Sequence, residues 1–196
     1  MTSILNNQLV DTKKAMDTIL TILIVIGAFL VPTFLAKIVP LGQYQQLVVG
    51  SIVNMSLILT ALYTKGTIKT FAIATLPSVS TIMGGLLFGS MTLYSKTMIP
   101  AIWLGNFAFI FLYKLLFVNK KVNYPVSAII AIIVKVAIIY LGFTIMTNVM
   151  TVPNMVKQTL NTAMGITQLV TATCGSILAF LIVIYTKQKT NKINEM

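Results

Sequence analysis

The chain has 196 residues, of which 57% are apolar and only 9% are charged, and its mean hydropathy is +0.94. This composition excludes both an ordinary soluble domain and a disordered chain, because neither carries so large a share of apolar residues. The net charge of +11 is divided among the loops and the ends of the chain, so no basic patch of the kind that binds nucleic acid is expected.

Six apolar stretches are long enough to cross a bilayer, which takes roughly 20 mostly apolar residues. They lie at about 18–39, 45–63, 71–90, 98–118, 125–147 and 162–186. The connections are short, and the longest, from Asn148 to Asn161, has room only for a lid or a brief helix. We therefore expect an all-α membrane protein, in which residues 1–196 form one domain, a compact bundle of six transmembrane helices.

The lysines that flank these spans fall mainly on one side of the predicted membrane. Ten lie on that side, namely Lys13, Lys14, Lys65, Lys69, Lys114, Lys120, Lys121, Lys187, Lys189 and Lys192. Three lie on the other side, namely Lys37, Lys96 and Lys157. Because cytoplasmic loops carry the excess of lysine and arginine, we expect a multi-pass protein of the cell membrane with both termini cytoplasmic.

Two spans contain an internal proline, which lacks an N–H and interrupts the helical hydrogen bonds. Pro32 lies in span 1, where Ala28, Pro32 and Ala36 form a stripe of small residues that permits close approach of another helix. Pro77 lies in span 3 and is followed by hydroxyl residues and glycines, a pattern that predicts a bent or partly broken helix.

Lys135 is the only charged residue near the middle of a predicted span. The acids of the chain, Asp11, Asp17 and Glu195, lie outside the spans, so none can pair with this lysine at membrane depth. A charge at the bilayer centre costs at least ~2.5–3.5 kcal/mol, and such charges usually serve a function. Small residues share its face of span 5, so we expect the ammonium to point into the bundle and to meet an anion. The alternative is that it snorkels or bonds backbone carbonyls.

Polar and aromatic residues on spans 4 to 6 lie near this depth or on its outer side. They are Trp103 and Asn106 on span 4, Tyr140 on span 5 and Gln168 on span 6. Together with Lys135 they predict an outward-biased cavity, in which the amides give hydrogen bonds and the aromatics a surface for a ring. The alternatives are interhelical hydrogen bonds for Asn106 and Gln168, and an interfacial position for Trp103.

Several missing features narrow the mechanism. The sequence has no Walker A motif, no histidine, and no acid within a span, so neither ATP hydrolysis by that route nor a conventional proton relay is expected. Cys174 is the only cysteine, which leaves no cysteine-rich metal site. We therefore expect no enzyme, no metal and no cofactor, but a protein that binds a solute and depends on an energised partner for transport.

This architecture resembles the substrate-specificity (S) component of energy-coupling factor (ECF) transporters. The stretch Gln45–Phe117 is similar to members of that family, with Val53-Asn54 in span 2 and Trp103-Leu104-Gly105-Asn106 in span 4. The resemblance implies that a vitamin or related micronutrient binds near the outer side. It also implies a gating role for the loop Pro40–Gln46, and a complex with a transmembrane coupling subunit and ATPase subunits.

The resemblance further implies that span 1 docks the coupling subunit. The family has Ala-x-x-x-Ala there, and the nearest match is Ala28-x-x-x-Pro32-x-x-x-Ala36, with proline in the middle position. We therefore predict a solute-binding subunit of an ATP-driven, vitamin-like uptake transporter, for a small anionic solute that bears a ring.

Two other interpretations stay open. One is a stand-alone Na⁺-coupled secondary transporter or channel, in which backbone carbonyls at a broken span 3 coordinate the ion. The other is a non-transporting assembly subunit, in which Lys135 pairs with an acid on a partner's helix.

Overall fold

A computed structural model describes residues 18–19, 21–35, 44–64, 66–84 and 92–194, and the regular structure within these ranges is entirely helical. The helices are α1 (Ile26–Leu35, a π-helix), α2 (Gln45–Tyr63), α3 (Thr67–Gly84), α4 (Thr92–Thr97), α5 (Ile99–Tyr113, continued as a π-helix over Lys114–Asn119), α6 (Tyr124–Val149), α7 (Asn154–Met164) and α8 (Ile166–Asn194). Among the described residues, four segments are long and apolar enough to cross a membrane, namely Gln45–Tyr63, Ile99–Asn119, Tyr124–Val149 and Asn154–Thr186. The all-α fold predicted from the sequence is confirmed, and α2 coincides with the predicted second span.

Glycines bring α2 and α8 into close contact. A Cβ on Gly175 would lie 2.6 Å from the Cβ of Asn54 and 2.8 Å from the backbone nitrogen of Met55. A Cβ on Gly50 would lie 2.8 Å from the side chain of Thr171. Small residues at such a crossing let the two backbones approach without a clash. Thr171 and Gly175 lie on this face of α8 and are buried.

We expect Gly175→Ala to lower the free energy of unfolding by about 2 kcal/mol, because the added methyl overlaps backbone atoms of α2 that have no room to shift. A denaturant titration of the detergent-purified protein measures this change. Cys174 is the neighbouring residue and is exposed, so Cys174→Val adds bulk on the outer side of α8 and serves as the matched control. If both variants were as stable as the wild type, the close packing of α8 on α2 would be wrong.

Glycines have the same role between α5 and α6. A Cβ on Gly105 would lie 2.7 Å from the side chain of Ile139, and one on Gly142 would overlap the side chain of Ala101. This packing turns the small-residue face of α6 towards the interior and buries Lys135 with it. The inward orientation predicted for this lysine is therefore the one observed.

α1 packs against α2 and α3 within the chain. Ala28 and Pro32 are buried there, so the close helix approach that their spacing predicted is made inside this bundle. The hydroxyls of Thr33 and Ser80 both donate to the carbonyl of Phe29, at 2.9 and 2.6 Å. These side chains supply donors to the backbone of a segment whose proline has no N–H.

α3 continues through Pro77 to Gly84, so of the bent or partly broken helix predicted for span 3, the break is not found in this part of the chain. A neighbouring helix supports the backbone beside the proline, because Nδ2 of Asn106 on α5 donates to the carbonyl of Ala74 at 3.1 Å. Side chains from adjacent helices commonly satisfy carbonyls near a membrane proline. The glycines of the predicted span at 85–90 lie outside the described residues.

The links between α2 and α3 and between α5 and α6 lie at one end of the bundle, which we call the basic end. The two links are joined there by Nζ of Lys114, which donates to the carbonyl of Thr64 at 3.1 Å. Lys69, Lys114, Lys120 and Lys121 are among the lysines at this end. Lys96 and Lys157 lie at the opposite end, before α5 and within α7.

Candidate functional site

Lys135 lies near the middle of α6 and is only 2% exposed. Its ammonium donates a hydrogen bond to Oδ1 of Asn54 on α2. The ring of Phe109 on α5 lies 5.0 Å from Nζ, which is within the range of a cation–π interaction. The positive charge is thus held between three helices in the interior of the bundle.

Asn54 connects this lysine to α8. Its Nδ2 donates to Oγ1 of Thr171 at 3.2 Å and to the carbonyl of Gly50 at 2.9 Å. Thr171 in turn donates to the carbonyl of Gln168 at 3.2 Å. The amide therefore presents its oxygen to the cation and its nitrogen to acceptors, which satisfies both of its ends. Lys135, Asn54, Phe109 and Thr171 are called the Lys135 cluster below.

The Lys135 cluster contains a positive charge and no negative one. No carboxylate side chain occurs anywhere between residues 18 and 194, because the acids are Asp11, Asp17 and Glu195. An ammonium has three N–H donors, and within the described ranges Asn54 is the hydrogen-bond acceptor for one of them. A neutral amide and an aromatic face offset only part of the penalty for burying a charge. The cluster therefore has both the charge and the free donors to bind an anion.

Two of the other predicted site residues bond to residues outside the cluster. Asn106 donates to the carbonyl of Ala74 on α3, which is the interhelical bond that the sequence offered as the alternative. Tyr140 is 43% exposed, and its hydroxyl donates to Oδ1 of Asn161 on α7 at 3.1 Å. In the part of the chain that the structure describes, neither side chain hydrogen-bonds Lys135, and a direct role for them in binding a solute stays a prediction.

Gln168 and Trp103 are both half-buried. The backbone carbonyl of Gln168 accepts a hydrogen bond from the hydroxyl of Thr171. Because Thr171 belongs to the Lys135 cluster, Gln168 adjoins the cluster through its backbone. Nε1 of Trp103 is enclosed and has no hydrogen-bond partner among the described residues. Trp103 precedes Phe109 on α5 by about 9 Å along the helix axis, on the side away from the basic end. An enclosed indole N–H without an acceptor is a donor available to a ligand.

Tyrosines close the interior between Lys135 and the basic end. The hydroxyls of Tyr113 and Ser176 lie 2.8 Å apart, and Tyr124 donates to the carbonyl of Ser176 at 2.8 Å. The ring of Tyr124 also contacts those of Phe117 and Phe180, at centroid distances of 5.3 and 4.9 Å. Because these side chains fill the space and satisfy one another, a solute would reach Lys135 more easily from the opposite end.

Asn54, Phe109 and Thr171 were not predicted as site residues. One signal pointed to Asn54, since it is the central residue of the predicted second span and therefore matches the depth of Lys135. An asparagine at that depth needs partners as much as a lysine does. No comparable signal marks Phe109, because phenylalanines are scattered through most of the spans.

Two of the three residues predicted to dock a partner lie on α1. Ala28 and Pro32 are buried against the rest of the bundle, and Ala36 lies outside the described residues. The outward side of the first span carries large apolar side chains, among them Ile22 and Leu23, which are more than half exposed. Docking of a coupling subunit on this span stays a prediction.

Comparisons of this chain with protein-family models, with curated proteins and with solved structures found no match.

Proposed function

We propose that this chain is the solute-binding integral membrane subunit of an ATP-driven transporter for a small anionic micronutrient. The observation that carries the proposal is the Lys135 cluster, in which a buried ammonium has a neutral amide and an aromatic ring as its partners. A buried charge without a counter-ion costs several kcal/mol. Binding of an anion offsets that penalty, so the unliganded bundle already contains part of the driving force for recognition.

Burial supports a solute rather than a partner protein as the source of the negative charge. Lys135 is 2% exposed, its ammonium contacts Asn54 on α2 and Phe109 on α5, and Asn54 in turn bonds Thr171 on α8. An acid on a partner's helix would have to displace one of these helices to reach the ammonium. A small solute is narrower than a helix and therefore requires a smaller opening of the bundle. The assembly-subunit interpretation is therefore the weaker one for this lysine.

The proposed orientation has six spans in the cell membrane, with both termini and the basic end on the cytoplasmic side. The excess of lysines at that end supports this orientation. In this orientation, Tyr113 and Tyr124 lie on the cytoplasmic side of Lys135 and separate the cluster from the cytoplasm. The solute then enters from outside. Trp103 and Gln168 lie on that outer path, where an indole N–H and an amide can hydrogen-bond the solute and the indole ring can stack on a ring in it.

Dependence on ATPase subunits is supported by the sequence. The chain has no Walker A motif and no acid or histidine in the apolar segments, and its architecture resembles the S component of ECF transporters. The Na⁺-coupled alternative depended on a broken span 3, whereas α3 is continuous at Pro77. A coupling subunit and ATPase subunits are therefore the proposed partners, with no nucleic acid involved.

Equilibrium dialysis of the detergent-purified protein against a pool of small metabolites tests the proposal, with mass spectrometry to identify what is retained. We expect the retained compounds to be anions, because the charge that the described helices bury, that of Lys135, is positive. The purified chain alone in liposomes should bind such a compound without accumulating it. Retention of only neutral or cationic compounds would contradict anion recognition, and accumulation without an ATPase would favour a secondary transporter.

A further inference from the structure

A cavity of about 440 Å³ opens at the basic end, between the residues that precede α1, the end of α2 and the start of α3. We call it the α1–α3 cavity. Its apolar lining residues are Val25, Ala72, Ile73 and Leu76. Its polar lining residues are Thr21, Tyr63, Thr64 and Lys69. The cavity is separate from the Lys135 cluster, which lies at the middle of the bundle.

Thr64 gives this cavity an unpaired polar group. The residue is 8% exposed, it lines the cavity, and its Oγ1 has no hydrogen-bond partner in the part of the chain that the structure describes. Buried side-chain hydroxyls are nearly always hydrogen-bonded. An enclosed hydroxyl without a partner at a cavity wall therefore indicates a ligand that supplies the missing acceptor.

The charge around Thr64 determines the sign of that ligand. Lys69 lines the same cavity, and Lys114 reaches the backbone carbonyl of Thr64 with its ammonium at 3.1 Å. No acid between residues 18 and 194 balances these lysines. An ammonium and a hydroxyl donor beside a membrane interface are the groups that bind the phosphate of an anionic headgroup.

The apolar lining residues of the cavity indicate what the phosphate is attached to. A free phosphate ion would leave Val25, Ile73 and Leu76 without an apolar partner, whereas an acyl chain supplies one. Apolar residues at the start of α3 are also exposed on the surface of the bundle, with Ile68 at 87% and Phe71 at 43%. The cavity thus lies beside a surface that suits lipid tails, so a lipid can enter it from the side.

We propose that the α1–α3 cavity binds an anionic phospholipid. The headgroup phosphate accepts hydrogen bonds from Nζ of Lys69 and Oγ1 of Thr64, and an acyl chain contacts Val25, Ile73 and Leu76. The site does not depend on the solute proposed for Lys135, and its tests are independent of that solute.

Native mass spectrometry of the protein released from detergent micelles tests this proposal with three probes, namely phosphatidylglycerol, phosphatidylcholine and inorganic phosphate. We expect phosphatidylglycerol to be retained at least fivefold more than phosphatidylcholine. Lys69→Gln should lower its retention about fivefold, because one lysine near an anionic headgroup is removed. Thr64→Val, which keeps the shape of the side chain, should lower it about tenfold.

Lys157→Gln is the matched control, since it removes an exposed lysine from the opposite end of the bundle, and its retention of phosphatidylglycerol should equal that of the wild type. Thermal unfolding of each variant without lipid checks that the fold is intact. Equal retention by Lys69→Gln and wild type, or equal retention of the two lipids, would overturn the proposal. Retention of inorganic phosphate as strong as that of phosphatidylglycerol would assign the site to a soluble phosphate and would overturn the lipid.

Discussion

Lys135→Met is expected to weaken binding of the retained anion at least ~100-fold, because breaking a buried ion pair costs ~3–5 kcal/mol. The protein should nevertheless stay folded. Methionine has a similar length and an adaptable apolar side chain, and a hydrophobic residue in place of a buried charge is often neutral or stabilising. Equilibrium dialysis over a range of concentrations of the retained compound gives the two affinities, and thermal unfolding in detergent gives the two stabilities.

Lys157→Met is the control for a general effect of net charge. Lys157 lies on α7 and is exposed, so its removal lowers the net charge equally but should change the affinity less than twofold under the same salt conditions. An affinity of Lys135→Met equal to that of the wild type would show that the ammonium has no role in recognition. In that case the lysine would serve only to join α6 to α2.

The positions of the long helices could be predicted from hydropathy, because a span is fixed by its apolar length. The predicted span at 45–63 coincides with α2 for this reason. The boundary between α7 and α8 could not be predicted in this way, and the predicted span at 162–186 runs across it. The helix ends there at Gly165, whose φ of −100° and ψ of −96° are outside the helical region. A hydropathy average over many residues does not respond to the backbone angles of one glycine.

The orientation of Lys135 could be predicted, but its partner could not. The small residues on its face of α6 indicated that it points inward, which depends only on the period of one helix. The pairing with Asn54 depends on which helices are neighbours and on how closely they approach. Glycines set that distance, since Gly175 brings α8 against the backbone of α2 beside Asn54. The same dependence on neighbouring helices applies at Pro77. Asn106 on α5 donates a hydrogen bond to the carbonyl of Ala74, in the helix that the proline was expected to bend or partly break.

Asn54→Leu is expected to lower the free energy of unfolding by about 3 kcal/mol, because it removes the acceptor of a buried ammonium and leaves the charge without a hydrogen bond. Asn106→Leu is the matched control. It makes the same change at another buried interhelical asparagine, but the partner lost there is the neutral carbonyl of Ala74. Hydrogen bonds of that kind contribute about 0.6 kcal/mol on average in membrane proteins. Denaturant titration of both variants in the same detergent gives the difference.

The double variant Asn54→Leu/Lys135→Met separates a lost acceptor from a poor fit of leucine against α8. If the lost acceptor is the cause, removing the charge should restore most of the stability, with a coupling energy of about 2 kcal/mol or more. If leucine clashes with α8 near Gly175, the two substitutions should be additive, because methionine at position 135 does not relieve that contact. Additive effects would therefore contradict the assignment of Asn54 as the partner that stabilises the buried charge. A saturating anion should raise the stability of Asn54→Leu more than that of the double variant, since only the former retains an ammonium to which the anion can bind.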